Sequence, residues 1–133
     1  RMSLRDEIKQ TRPFSSTLEE ALLSIVRTAS EMTYGGNEAL RPYGLTTTQY
    51  NVLRILRGAG PIGLCGREIA ERLVARVPDV PRLVERLESM RLIQRERDPE
   101  DRRHVTATIT PKGLKLLEEV APALDAVEQS RLV

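Results

Sequence analysis

One cysteine, Cys65, is all the sequence contains, which excludes an internal disulfide and a multi-cysteine zinc site and fits a reducing cytoplasm. His104 is also alone of its kind and has no partner at metal-ligand spacing, so no metal role is assigned to it. With no second histidine to serve as a base, no serine or cysteine stands in a nucleophilic pairing. The acidic pairs Glu19/Glu20 and Glu118/Glu119 read as solvated helix charges, and neither an enzyme nor a cofactor is expected. No run approaches the ~18 apolar residues of a membrane span, and the opening RMSLRDEIKQ lacks the apolar centre of a signal peptide. The expectation is a cytoplasmic protein with no membrane partner. Lysine is scarce, occurring only at positions 9, 112 and 115, so the basic character rests on arginine. Arginine offers a rigid fork of donors suited to phosphates and guanine edges. Arg1, ahead of Met2, reads as a remnant and is set aside.

What is present suffices for one domain. A chain of 133 residues that is 40% apolar can bury a real core but not two. Its net charge of +2 against a charged fraction of 30% allows a nucleic-acid partner without demanding one.

Hydrophobic spacing divides the chain. In SSTLEEALLSIVRTASEM, Leu18, Leu22, Ile25, Ala29 and Met32 form one helical stripe. A capping box, Ser16 with Glu19 or Thr17 with Glu20, opens that helix. TYGGNEALRPYG then reads as a loop with at most a short helical turn. A second helix starts at LTTTQYNVLRILRGAG, with a capping box from Thr46 and Gln49, a staple from Leu45 and Tyr50, and a stop at Gly58 to Pro61. A third, short helix in CGREIAERLV carries Ile69, Ala70 and Leu73 on one face. The fourth begins near Pro78 or Asp79, with Val80, Leu83, Val84, Leu87 and Met90 sharing a face.

The period then changes to two: LIQRER and VTATIT predict a β-hairpin. Thr110 and Pro111 open a closing helix that carries Leu117, Val120, Ala121, Leu124 and Val127, and Pro122 should kink or end it. The fold class is therefore mainly α with a small β-hairpin.

Two short helices with a brief break are the pattern of a helix-turn-helix, whose second helix lies in the major groove of DNA. The hairpin that follows has the tip RERDPEDRRHV, in which Arg95, Arg97, Arg102 and Arg103 interleave with four acids. A bland reading makes this a solvated turn. Beside a recognition helix, the arginines can instead reach phosphates, while Asp98 and Asp101 pair with neighbouring guanidiniums and hold the tip in shape.

The stretch EIAERLVARVPDVPRLVERLESMRLIQRERDPEDRRHVTATITPKG resembles the winged helix-turn-helix core of the MarR family of bacterial transcription regulators. Family patterns LAERL, TRLVDRLE, DxxDRR and LTxxG are matched by Ile69 to Leu73, Arg82 to Glu88, Asp98 with Asp101 to Arg103, and Ile109 to Gly113. The resemblance spans about residues 16–133 and implies a single domain, with dimerisation helices at 16–35 and 111–133 around a DNA-binding lobe at 45–110. It implies a homodimer reading a pseudo-palindrome in double-stranded DNA, typically as a repressor released by a small aromatic effector. Tyr34, Tyr43 and Tyr50 are the candidate lining of an effector pocket, against ordinary core packing for each. Both terminal helices carry apolar stripes that so small a chain can hardly cover alone, which agrees with dimerisation. The dimerising helix could continue past Val133.

One departure bears on base reading. Where the family often has small hydroxylated residues at the start of the recognition helix, this chain has Val77, Asp79 and Pro81. An aspartate repels phosphate and a proline donates nothing, which motivates a rival reading as a winged-helix module that binds protein. Arg82, Glu85, Arg86 and Ser89 lie off the apolar face, with Arg82 the leading base-edge candidate and Arg86 the next. Cys65, just before the third helix, could be oxidation-prone there, although a small structural cysteine is the simpler reading.

Overall fold

The computed structural model describes residues 2–132; Arg1 and Val133 lie outside the described residues. Six helices and one hairpin follow in order: α1 Leu4–Glu7, α2 Thr17–Leu40, α3 Thr47–Ala59, α4 Gly66–Arg72, α5 Val80–Ser89, β1 Ile93–Arg97, β2 Val105–Ile109 and α6 Pro111–Leu132. Short 3-10 turns, Arg41–Tyr43 and Gly60–Ile62, link α2 to α3 and α3 to the segment before α4. The four-residue α1, capped by Ser3, has no signal among the sequence expectations. No helix among the described residues is long and apolar enough to cross a membrane.

Ser16 caps α2 by accepting from the Glu19 N–H at 3.0 Å. The returning arm of the expected box lands one residue early, on the Ser15 N–H at 2.8 Å. At its far end α2 departs from expectation: TYGGNEAL is helix, not loop. The glycines are buried at helix crossings, where a Cβ on Gly35 would meet Val127 Cγ1 at 2.9 Å and one on Gly36 would meet Thr47 Cγ2 at 2.7 Å. Packing against α6 and α3 thus offsets the ~1 kcal/mol that each glycine costs a helix. The Thr47 N–H donates to Asn37 Oδ1 at 2.9 Å, and Arg131 pairs with Glu31, tying α2 to both neighbours.

The expected box at α3 is complete, with Thr46 and Gln49 each accepting from the other's backbone N–H. Leu53 and Leu56 from α3, Ile69 from α4, Leu87 from α5, Leu92, Ile93 from β1 and Val120 from α6 are among the fully buried members of one core. Ala70, expected on the buried face of α4, is exposed, while Ile69 and Leu73 face inward.

The strands pair antiparallel from Ile93 with Ile109 to Arg97 with Val105. Leu64 adds a third, one-residue rung by exchanging hydrogen bonds with Ala107 at 3.0 and 2.8 Å. Close approach there requires a glycine: Gly63 has φ +71° and its added Cβ would stand 2.4 Å from the Ala107 carbonyl oxygen. Gly113, last residue of the ITPKG motif, is equally constrained, since a Cβ would stand 2.4 Å from the Leu92 carbonyl oxygen.

Thr110 caps α6 by accepting from the Gly113 N–H at 3.1 Å. Pro122 does not end α6, which continues to Leu132. The proline faces outward and forfeits its backbone bond, while Leu117, Val120 and Leu124 on the inner face stay packed on the core.

Candidate nucleic-acid interface

The outward face of α5 is set by how the helix begins. Asp79 is its N-cap, with Oδ1 accepting from the Arg82 N–H at 3.0 Å, and Pro81 sits in the first turn, where its missing N–H costs nothing. The two residues that looked hostile to DNA thus have a local structural role. Burying Val80, Val84 and Leu87 turns Arg82, Glu85, Arg86 and Ser89 outward, where they line an open groove with Thr46 and Gln49 of the α3 start. Sequence spacing placed the α5 residues; Thr46 and Gln49 were legible only as a cap. Among the described residues, neither Arg82 nor Arg86 has a carboxylate within ion-pair distance, so both guanidiniums keep their donors available.

The C-terminal end of α5 is clamped from several sides. Arg91 adopts φ +63°, and its N–H donates to the Glu88 carbonyl at 2.8 Å. Thr110 Oγ1 donates to the Arg91 carbonyl at 2.8 Å and Lys112 Nζ to the Met90 carbonyl at 3.0 Å. These bonds satisfy orphan carbonyls of the last turn and join α5 to the start of α6.

In the hairpin the four arginines separate by role. Arg102 and Arg103 project from the tip, and Arg103 Nε meets Asp101 at 3.3 Å across an exposed pair. Arg97 donates to the Arg102 carbonyl and so braces the turn. Arg95 is turned back to α5, where its Nη2 lies 2.9 Å from Glu88 Oε1. Glu88 was not foreseen, because its partner is seven residues away across a helix end and a strand start. That hydrogen bond and charge hold the Glu88 carboxyl below its ordinary range and raise Arg95 above its own.

The expected role of the wing acids is corrected in part. Asp98 pairs with no guanidinium among the described residues; its Oδ1 accepts from the Glu100 N–H at 2.9 Å. Asp101 accepts from the Arg103 N–H at 3.2 Å besides its ion pair. Both shape the tip chiefly through the backbone, as short side chains in turns do. The His104 N–H donates to the Asp101 carbonyl and the Asp98 N–H to the His104 carbonyl, each at 2.9 Å, closing the loop.

The three tyrosines do not meet in one pocket. Tyr34 is 65% exposed, Tyr43 lines a cleft with Met90, Lys112 and Leu116, and Tyr50 lines another with Thr33, Asn51, Arg54 and Val74. In the latter cleft, Arg54 donates to the Tyr50 hydroxyl at 3.0 Å, and its guanidinium lies 5.8 Å from the ring centre. Cys65 precedes α4 as its N-cap, and its N–H donates to Glu68 Oε1 at 3.1 Å, which lowers the Glu68 carboxyl. No cluster of three or more histidine, cysteine or acidic residues among the described residues could hold a metal.

A second surface is apolar. Leu18, Ile25 and Val26 on α2 are 67%, 64% and 65% exposed, with Leu22 beside them at 54%. The first half of the α2 stripe, which so small a chain was expected hardly to cover alone, is uncovered within one chain.

A model of the MarR family matches residues 45–105. The structure is similar to a MarR transcription factor from Planctomyces limnophilus, with a TM-score of 0.78 and 37% identity, covering 90% of this chain and 87% of that one. It also resembles Staphylococcus aureus MepR in a complex with DNA, at TM-score 0.71 and 28% identity over 89% of this chain and 82% of that one. A third similar structure is Bordetella bronchiseptica BpsR, described for regulation of its DNA binding by 6-hydroxynicotinic acid, at TM-score 0.73 and 27% identity over 90% and 84%. Among curated sequences, three HTH-type transcriptional regulators of Bacillus subtilis are 38%, 33% and 31% identical, and the chain spans 59%, 52% and 58% of their lengths.

Proposed function

The chain belongs to the MarR family, and from that premise we propose that it is a sequence-specific transcription regulator acting as a homodimer on a pseudo-palindrome in double-stranded DNA. Its relatives and fold are those of transcription regulators, not of enzymes. The observation that carries the reading is that Arg82 and Arg86 face outward on α5 with no carboxylate in ion-pair range among the described residues, while the hairpin that follows α5 exposes Arg102 and Arg103 at its tip. A helix in the major groove needs base-reading donors on its outward face, and a flanking hairpin needs cations for phosphate.

The apolar face of α2 supports the dimer. Leaving Leu18, Leu22, Ile25 and Val26 in water forfeits about 25 cal/mol per Å² of apolar area, and a second copy offers the same stripe in return. Repression is the mode we assign, with release by a small aromatic effector. The cleft around Tyr50 and Arg54 is the candidate effector site, because the Val74 N–H donates to Asn51 Oδ1 at 2.9 Å beside it and Val74 leads into α5. An effector that binds better when this link is open would lower the population of DNA-competent dimer. Tyr34 and Tyr43 are not part of that site. A DNA partner places the work in the bacterial cytoplasm.

The rival reading, a protein-binding winged helix, rests on Asp79, Pro81 and the modest net charge of +2; the place of Asp79 and Pro81 at the start of α5 leaves only the charge to motivate it. The test is selection from a random duplex pool at two salt concentrations, with the bound fraction sequenced. Enrichment of half-sites about one helical turn apart, held more weakly at high salt, is the expected result. Salt-independent binding without enrichment would return the weight to the protein-binding module.

A further inference from the structure

Arg95 sits in the motif that supplies the exposed wing arginines, yet its surroundings differ from theirs. Its guanidinium lies 2.9 Å from Glu88 in the last turn of α5 and is influenced by Glu85 one turn earlier. Both partners are partly screened from solvent, at 34% and 39% side-chain exposure, whereas Arg103 stands at 93%. The register explains the direction. Arg95 is opposite buried Ala107 and shares the hairpin face of Ile93 and Ile109, which packs on the core, while Gln94 and Glu96 occupy the other face.

We propose that Arg95 is a positioning residue, with Glu88 as its anchor, and that the pair sets the angle of the wing to the recognition helix without Arg95 touching phosphate. This rests on the DNA-binding reading above. Between them the two residues span the turn Met90 to Leu92, which joins the end of α5 to β1. The Thr110 and Lys112 side chains fasten that turn to the start of α6; the Arg95–Glu88 pair adds a direct link from α5 to β1.

Sign and slope separate this role from its alternatives. If Glu88 were merely an acid near DNA, Glu88→Gln would strengthen binding. If it anchors the wing, Glu88→Gln weakens operator binding by about two- to fivefold, the range an exposed pair supports. Arg95→Gln should weaken binding similarly and leave the salt slope unchanged, whereas a lost phosphate contact flattens it by ~0.9. The double variant should bind no worse than either single one, and the exchanged pair Glu88→Arg with Arg95→Glu should recover part of the loss.

The experiment combines operator titrations of these variants at several salt concentrations with amide hydrogen exchange of β1 and the wing tip in the free protein. Faster wing exchange in both single variants, partly restored by the exchanged pair, is expected. A flattened slope for Arg95→Gln with unchanged or tighter binding by Glu88→Gln overturns the proposal, as does wing exchange that neither variant alters. Absence of duplex binding by the unaltered chain would overturn the functional reading instead, and the exchange data would still decide whether the brace exists.

Discussion

Helices α2 and α5 carry apolar stripes of the same helical period, yet the stripe of α5 is covered by its own chain and the first half of α2 is bare. Val84 and Leu87 are 5% and 0% exposed; Leu18 and Ile25 are 67% and 64% exposed. Periodicity therefore states that a face will be covered without stating by what. On α5 the cover is α3, α4 and the hairpin, and on α2 it is the second copy that we assign.

The comparison can be broken most forcefully at Leu87. Leu87→Ala should cost about 2–5 kcal/mol of folding stability through the cavity it leaves, read as a lower Tm at any protein concentration. A change of comparable consequence on α2 should act on association instead: the double variant Leu22→Glu, Ile25→Glu should sediment as a monomer with its fold retained by circular dichroism. If that variant remains dimeric, or if Leu87→Ala is silent, the two stripes are not different in kind.

The polar face of α5 provides the next contrast. Arg82→Ala should lose ~1–3 kcal/mol on the selected operator and relax base preference at one position. Loss of both Arg102 and Arg103 to alanine should weaken all sequences alike and flatten the salt slope by ~0.9 per contact. Equal losses on all duplexes for Arg82→Ala would demote it to a backbone contact. Smaller still is Asp79→Ala, for which removal of the cap costs about 1 kcal/mol of stability, seen in denaturant titration; no change there would reopen a DNA role for that carboxylate.

The smallest effect concerns pH. Glu88 is held below its ordinary range when folded, so its pair with Arg95 contributes above the unfolded value and is lost as pH falls through the folded one. Solvent screening limits this to under about 1 kcal/mol. The stability gap between the native chain and Glu88→Gln should be present at neutral pH and close below the usual carboxylate range. A gap that persists in acid would mean that the carboxylate charge is not its source.

Most helix starts were legible because a cap is a matter of three or four consecutive residues. Ser16, Thr46, Asp79 and Thr110 each cap the helix that the spacing predicts, although by charge alone Asp79 speaks against a phosphate partner. The glycine pair misled for the same reason. Local chemistry makes Gly35 and Gly36 a break, and only contact with Val127 and Thr47, 92 and 11 residues further along, turns them into a crossing point. Of the two outcomes open at Pro122, the helix does not end there, since the packing of flanking turns outweighs one lost hydrogen bond.

The candidate site divides along the same line. Arg82 and Arg86 could be placed outward from the period of α5 alone, and the exposed tip arginines from the turn motif. Arg95 could not be told from its neighbours, nor could the tyrosines be sorted into separate clefts. By itself the sequence determined the order and kind of most elements, their caps, the hairpin and the outward face of α5. These follow from steric and hydrogen-bond preferences acting over a few residues. Tertiary structure alone decided which helix continues through its glycines, which arginine is bound within the chain and which stripe remains bare, because each depends on atoms that the chain brings together only by folding.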